Sequence, residues 1–120
     1  EPDRIQKAMV VCSNRQIAYD LLLKFQEKYP EWFVEKKVPD GTAATKEELD
    51  TMKPMPFMAM VASVGSNDKS EMYNYLGGVK NDKRSKELDA AFKQEKSNFR
   101  IVIVVDMWIT GFDVPCYLSV

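Results

Sequence analysis

The feature that most constrains the fold is an unbroken run of five β-branched residues at positions 101–105, directly before Asp106. Branching at Cβ restricts side-chain rotamers in a helix and suits the pleated surface of a strand. An apolar run without alternation is typical of a strand that is covered on both faces, as in parallel sheets. Residues 100–105 are therefore predicted to form a central strand with helices on both sides.

Two further apolar runs predict strands. Residues 57–63 form one of them, and residues 8–12 form the other. After residues 8–12, Ser13 and Gln16 have the spacing of a capping box, which predicts that a helix begins at once. The apolar face of that helix is expected to carry Ile17, Leu21, Leu22 and Phe25.

The chain after residue 63 predicts two more helices. Asp68 and Glu71 have the spacing of a helix cap, and Gly77-Gly78 is typical of the end of a helix. Residues 83–96 predict a second, charged helix whose mixed charges face solvent. Its apolar face is expected to carry Leu88, Ala91 and Phe92.

The stretch from residue 34 to residue 56 is less regular. Residues 34–38 predict a short strand, and Pro39-Asp40-Gly41 predicts a turn. Thr45 and Glu48 have capping spacing, so a short helix is expected over residues 46–52. This stretch suggests no function.

Strands that alternate with helices imply right-handed crossovers and a parallel sheet. The chain of 120 residues is within the size range of one domain. We therefore predict a single α/β domain over residues 1–120, built as a three-layer sandwich around a mainly parallel sheet.

Composition excludes several classes of function. The net charge of −1 does not mark a free-standing nucleic-acid-binding module, which would more often be clearly basic. The absence of histidine excludes zinc sites of the Cys/His kind, and Cys12 and Cys116 are expected to be buried, reduced and structural. There is no signal peptide and no apolar run of membrane length, so a cytoplasmic location without membrane association is expected.

Ligands of open parallel sheets bind beyond the carboxyl ends of the strands. This rule singles out residues 12–15, 63–68 and 106–115. In the first segment, Ser13, Asn14 and Arg15 combine a helix N-terminus with polar side chains, an arrangement that favours phosphate. Helix capping alone would also explain Ser13, so both interpretations stay open.

The segment 106–115 is the most informative of the three. Gly111 permits a close approach to the backbone that a side chain would block. The carboxylate of Asp113 offers two acceptor oxygens for ribose hydroxyls or a basic partner. Pro115 stiffens the exit. A plain glycine turn after a strand is the alternative.

Several catalytic signatures are missing from the sequence. It has no G-x-x-x-x-G-K-[ST] phosphate loop, no G-x-G-x-x-G fingerprint and no Asp-Glu pair of the kind that holds a catalytic magnesium ion. Histidine, the commonest general base, is absent too. The chain alone is therefore not expected to catalyse a reaction.

Over residues 7–115 the order of segments resembles the C-terminal RecA-like domain of superfamily 2 helicases and translocases. The stretch K-A-M-V-V-C-S-N-R-Q-I-A from Lys7 is similar to motif IV of that family. The stretch V-D-M-W-I-T-G-F-D-V-P from Val105 is similar to motif V, with Thr110 where the commoner form has arginine. This form of motif V most resembles the restriction subunit of type I restriction–modification enzymes.

The resemblance implies ATP-driven translocation of double-stranded DNA, with ATP clamped between this domain and the first RecA-like domain of the same chain. Gly111, Asp113 and Thr110 would then contact the nucleotide, and Thr110 would also reach a DNA phosphate. The expected contacts with the DNA backbone are those of Ser13, Asn14, Arg15, Ser63 and Thr110.

The resemblance also implies a setting. The chain would be a fragment of an ATP-dependent type I site-specific deoxyribonuclease, with methyltransferase and specificity subunits as partners. ATP and Mg²⁺ would be cofactors of the intact protein, with none bound to the fragment alone.

The main alternative is a non-enzymatic α/β module that binds DNA or protein without nucleotide. A receiver-like or flavodoxin-like domain is a weaker alternative, because acidic clusters and phosphate loops are missing at the strand ends.

Overall fold

The computed structural model describes residues 7–65 and 67–105 in full, together with the backbone of Cys116–Ser119. No helix in the described part of the chain is long and apolar enough to cross a membrane.

The centre of the molecule is a four-stranded sheet in which all pairs are parallel. The strands follow one another in space in the order β2-β3-β1-β4. Val10 pairs with Ile103, and Ile103 pairs with Met60, so the strand predicted from the β-branched run lies inside the sheet as expected. The strands are β1 (Ala8–Cys12), β2 (Met58–Val61), β3 (Ile101–Val105) and β4 (Cys116–Ser119).

In the described part of the chain, four α-helices connect or flank these strands. They are α1 (Arg15–Lys28), α2 (Lys46–Asp50), α3 (Ser70–Tyr75) and α4 (Asn81–Lys93). Two 3₁₀ turns, Pro30–Phe33 and Gly78–Lys80, follow α1 and precede α4.

Alternate residues of each strand pack on opposite sides of the sheet, because successive side chains of a strand point to opposite faces. The two faces form two separate apolar clusters of buried side chains, and partly buried hydrophobic residues pack against one of them. On one side Val11, Val61 and Val104 pack with Phe92 of α4. On the other side Val10, Met60 and Ile103 pack with Leu22 of α1 and Met72 of α3. This arrangement confirms the α/β three-layer prediction.

The prediction that Ser13 and Gln16 form a capping box is wrong. Asn14 is the N-cap residue of α1, and its Oδ1 accepts a hydrogen bond of 2.9 Å from the Ile17 backbone N–H. Gln16 instead donates to Asp20, one turn along the helix. Ile17 is 42% exposed and so lies off the apolar face, where Ala18 and Leu22 are buried and the predicted Leu21 and Phe25 pack partly buried.

The cap predicted at Asp68 is also wrong. Helix α3 begins at Ser70, and its N-cap residue Lys69 makes no side-chain capping bond. The Asp68 carboxylate bonds instead to Arg15 and Gly65, because an ionised partner competes successfully for it. Gly77 does end the helical turn, with a positive φ of 97°.

The irregular stretch departs from its prediction in one place. Residues 34–38 form no strand, and only an isolated antiparallel bridge joins Lys36 to Met55. Pro54 and Pro56 flank Met55 and lack the backbone N–H that a longer ladder needs. The turn at residues 39–41 and the capping box of α2, made by Thr45 and Glu48, are confirmed.

At the amino edge of the sheet, the side chain of a buried lysine binds the C-terminus of α4. Lys7 Nζ donates to the carbonyl oxygens of Ala91 at 3.2 Å and Gln94 at 2.7 Å, and it lies 5.2 Å from the centre of the Phe92 ring. A cation at a helix C-terminus satisfies carbonyl groups and the helix dipole together. Burial, and secondarily the charge of Arg100, lower the Lys7 pKa to about 8, against a smaller opposing effect of Glu95.

Candidate functional site

Three neighbouring strands end together at one edge of the sheet. Cys12 of β1 pairs with Val105 of β3, and Val104 pairs with Val61 of β2. The segments that follow β1 and β2 therefore leave the sheet at this same edge. This is the edge at which parallel sheets bind ligands. In sequence, each predicted site residue comes shortly after one of these three strands.

Arg15 connects two of these segments. Its Nη1 forms an ion pair with Asp68 Oδ2 and also donates to the Ser63 carbonyl oxygen at 3.3 Å. The Arg15 side chain is 33% exposed, whereas that of Asp68 is only 5% exposed. The loop after β1 and the loop after β2 are consequently held together by one guanidinium group whose outer side faces solvent.

Gly65 completes the cluster. Its backbone N–H donates to Asp68 Oδ2 at 2.7 Å, which closes a turn over residues 65–68. A Cβ at this position would lie 3.2 Å from Arg15 Nη2 and 3.4 Å from Asp68 Oδ1. Glycine thus lets the guanidinium and the carboxylate pack directly against the backbone.

The electrostatics of the cluster favour an ionised Asp68. Burial acts to raise the pKa of this carboxyl group, but hydrogen bonds from Arg15 and Gly65 and the positive charge of Arg15 outweigh it. The pKa of Asp68 is therefore below its ordinary value. At neutral pH Asp68 is therefore ionised, and its negative charge offsets part of the positive charge of Arg15.

Ser13 and Asn14 lie at the exposed entrance to α1. Asn14 uses its side-chain oxygen to cap the helix, while Ser13 is exposed between the end of β1 and the cap. The start of a helix of this length adds backbone N–H groups and a partial positive charge. Together with Arg15, these groups can accept an anion such as a phosphate at the edge of the sheet.

The structure brings four of the predicted site residues to one edge: Ser13, Asn14, Arg15 and Ser63. Thr110, Gly111 and Asp113 belong to the segment 106–115, which lies outside the described residues. Within the described ranges, no group of three or more acidic or cysteine side chains could hold a metal ion.

Sequence reasoning missed the roles of Asp68 and Gly65. Both follow β2 in the stretch G-S-N-D, and a glycine three residues before an aspartate after a buried strand is typical of a tight polar turn. That signal predicts a turn, but it does not indicate that the turn faces Arg15. The contact spans more than fifty positions of sequence, so only the packing of the strands shows it.

Comparison with known proteins finds relatives of one kind. The chain is 32% identical over 110 residues, 92% of its length, to the type I restriction enzyme HindI endonuclease subunit of Haemophilus influenzae. The same identity and coverage relate it to a putative type I restriction enzyme MjaIXP endonuclease subunit of Methanocaldococcus jannaschii. The homologues of this chain are type I restriction enzyme endonuclease subunits.

The chain corresponds to a small part of these type I restriction subunits, 9% of the length of the first and 8% of the second. No family model and no solved structure matches it. The resemblance to type I restriction subunits that the motif V stretch suggested is supported in part, by similarity to one segment of much longer polypeptides.

Proposed function

We propose that this chain is one half of the ATP-driven DNA translocation motor of a type I restriction enzyme subunit. It would be the second RecA-like domain and would contribute one wall of the ATP cleft and contacts with the DNA backbone. The first RecA-like domain of the parent chain would supply the other wall. Methyltransferase and specificity subunits would complete the complex in the cytoplasm.

The observation that carries this proposal is the joining of two loops at the carboxyl edge. Arg15 links the loop after β1 to the loop after β2, which places Ser13, Asn14, Arg15 and Ser63 at one edge of the sheet. A motor that steps along a duplex needs such a rigid unit to carry backbone contacts from one step to the next. Homology to type I restriction subunits is the independent support.

The residues would divide the work by position. Gly111, Asp113 and Thr110 would face the nucleotide, with the Asp113 carboxylate near the ribose, and Thr110 would also touch a DNA phosphate. Hydrolysis of ATP, bound with Mg²⁺ in the intact protein, would supply the free energy for stepping. Ser13, Asn14, Arg15 and Ser63 would bind the DNA backbone without reading the base sequence.

The nucleotide part is tested in the intact endonuclease subunit, assembled with its partners on double-stranded DNA. Asp113→Ala and Gly111→Ala should each reduce DNA-stimulated ATP hydrolysis about tenfold or more, while urea unfolding changes little. Asp82→Ala is the matched control, because the Asp82 side chain is 83% exposed on α4 and pairs with Lys86 on the same helix. Normal turnover in both site variants would reject the assignment.

The DNA part is tested with two substitutions of opposite expected sign. Arg15→Ala should weaken duplex binding and reduce the slope of log affinity against log salt by about one. Asp68→Asn should strengthen binding, because it removes the carboxylate that partly neutralises Arg15. If both substitutions weaken binding to the same extent, Arg15 stabilises the loops and does not contact DNA.

The same assays distinguish this proposal from the alternative, a binding module that works without nucleotide. It predicts that the Asp113 and Gly111 variants keep wild-type DNA binding and that ATP leaves the affinity for DNA unchanged.

A further inference from the structure

A second surface at the carboxyl edge is the turn of residues 77–80, which joins α3 to α4. It is attached to the end of β2, because Asn81 Nδ2 donates to the Ala62 carbonyl oxygen at 2.7 Å. Arg15 donates to the carbonyl oxygen of the next residue, Ser63. Since α1 and α4 pack on opposite faces of the sheet, Arg15 and the 77–80 turn flank the end of β2 from its two sides.

The backbone of the 77–80 turn is closely packed. Gly78 has a positive φ of 54°, and a Cβ at this position would lie 2.9 Å from a ring carbon of Tyr73. The Lys80 N–H closes the turn on the Gly77 carbonyl oxygen at 2.8 Å. The turn therefore has a defined shape, and this shape sets the direction in which its outer side chains leave the protein.

The tip of the turn exposes an apolar side chain. Val79 is 92% exposed, whereas the other exposed large hydrophobic residues in the described part of the chain are 39% to 54% exposed. An apolar side chain that the fold holds out in water becomes more stable when a ligand covers it. Single exposed apolar residues are common, so the kind of ligand has to be identified from the neighbours of Val79.

The neighbours of Val79 are positively charged. Lys80 follows it directly, and Lys83 comes three residues later, on the same side of the chain as α4 begins. Both lysines are exposed, and neither forms an ion pair with another described residue. Asp82 lies between them in sequence but pairs with Lys86 at 3.1 Å. The turn thus presents an apolar contact beside unpaired positive charge.

We propose that the 77–80 turn is a second contact with the backbone of duplex DNA, across the end of β2 from Arg15. Lys80 binds a phosphate, and Val79 packs against a neighbouring deoxyribose. A DNA strand alternates phosphates with sugars, so a cation next to an apolar side chain is complementary to it without reading bases. This inference rests on the proposed motor function and extends its DNA surface to a turn outside the motif IV stretch.

The test measures binding of a short duplex of mixed sequence to the intact endonuclease subunit at several salt concentrations. Lys80→Gln should reduce the slope of log affinity against log salt by about one, because one phosphate contact is lost. Val79→Ala should weaken binding about threefold and leave the slope unchanged, because it removes only apolar contact. Combining Lys80→Gln with Arg15→Ala should reduce the slope by about two, as two contacts with one duplex require.

Lys24→Gln is the matched control, because it removes the same charge elsewhere. Lys24 is exposed and forms no ion pair with another described residue. It lies nine residues after Arg15 along α1, about 14 Å further from the carboxyl edge. Lys24→Gln should change neither the affinity nor the slope. The urea unfolding midpoints of the Lys80, Val79 and Lys24 variants should equal that of the wild type.

The possible outcomes separate this inference from the motor function. If Arg15→Ala lowers the slope and Lys80→Gln does not, the contact at the turn is rejected and the motor function stands. If neither lowers it, the DNA part of the proposed function fails together with this contact. Equal effects of Lys24→Gln and Lys80→Gln would mean that net charge alone acts. Reduced ATP hydrolysis in Val79→Ala at unchanged DNA affinity would show that the turn contacts protein instead of DNA.

Discussion

Two arginines beside the segment that contains β2 are held in different ways. Each donates from Nη1 to a carbonyl oxygen of that segment, Arg15 to Ser63 and Arg84 to Met60. Arg15 also has a buried carboxylate partner in Asp68, whereas Arg84 is held against the ring of Tyr75. One positive charge therefore has a carboxylate partner, and the other has none within ion-pair distance among the described residues.

The difference shows what each arginine can contribute. Burial lowers the pKa of Arg84, and the contact with Tyr75 offsets part of that effect, so the group is desolvated without a compensating negative charge. Such a cation gains more from an incoming carboxylate than an exposed one does. Arg15, already paired, serves first to position two loops. Arg15 thus links two loops and pairs with a carboxylate, whereas Arg84 is fixed on a carbonyl oxygen and an aromatic ring.

The largest change in stability is expected when Arg84 is replaced. Arg84→Met should lower the free energy of unfolding by about 2–3 kcal/mol, because the Met60 carbonyl oxygen loses its donor and Tyr75 loses its cation. Urea unfolding measures the change. Lys83→Met should stay within about 0.5 kcal/mol, as expected for an exposed residue. A loss for Arg84→Met no larger than this would mean that water replaces the guanidinium at the strand edge.

A second prediction adds Lys7, a buried cation at the opposite edge of the sheet. Its pKa is about 8 in the folded chain, below the ordinary 10.5, so between these values the unfolded chain binds more protons. Stability should therefore rise with pH in that window, by at most about 1.4 kcal/mol per pH unit.

The measurement for Lys7 is the difference in unfolding free energy between the wild-type chain and Lys7→Met from pH 8 to pH 10. The wild-type chain should gain relative to the variant as the pH rises, by about 1–2 kcal/mol in total. A difference that is constant with pH would show that Lys7 is as well solvated as a surface lysine.

The smallest effect concerns the paired arginine. Asp68→Asn keeps an acceptor for the Gly65 N–H but removes the charge, so it should cost about 1 kcal/mol at neutral pH. Because the folded pKa of Asp68 is lowered, its contribution is complete above the ordinary value of 3.8 and is lost as the pH falls through the folded pKa. The unfolding free energies of the wild-type chain and the Asp68→Asn variant should converge in acid. If the difference between them persists there, hydrogen-bond geometry and not charge stabilises the cluster.

Local sequence predicted the regular elements well. The β-branched run at 101–105 and the apolar runs near β1 and β2 became strands of one parallel sheet, and α2 has its predicted capping box. Strand and helix-cap predictions of this kind depend on side-chain rotamer restriction and on residues within four positions of each other. Both can be read directly from the sequence. The same local rules failed at Ser13, where Asn14 caps the helix instead, and at Asp68, whose carboxylate accepts from Arg15 and Gly65.

The amino-acid sequence by itself determined the α/β class, the parallel order of strands and helices, and the carboxyl edge as the place where Ser13, Asn14, Arg15 and Ser63 meet. Only the tertiary structure decided that Asp68 pairs with Arg15 and that Arg84 and Tyr75 cover the edge of β2. The physical reason is the range of the interactions in sequence. Periodicity and capping act between close neighbours along the chain. A charged side chain instead pairs with any group that the packed strands bring within a few ångströms.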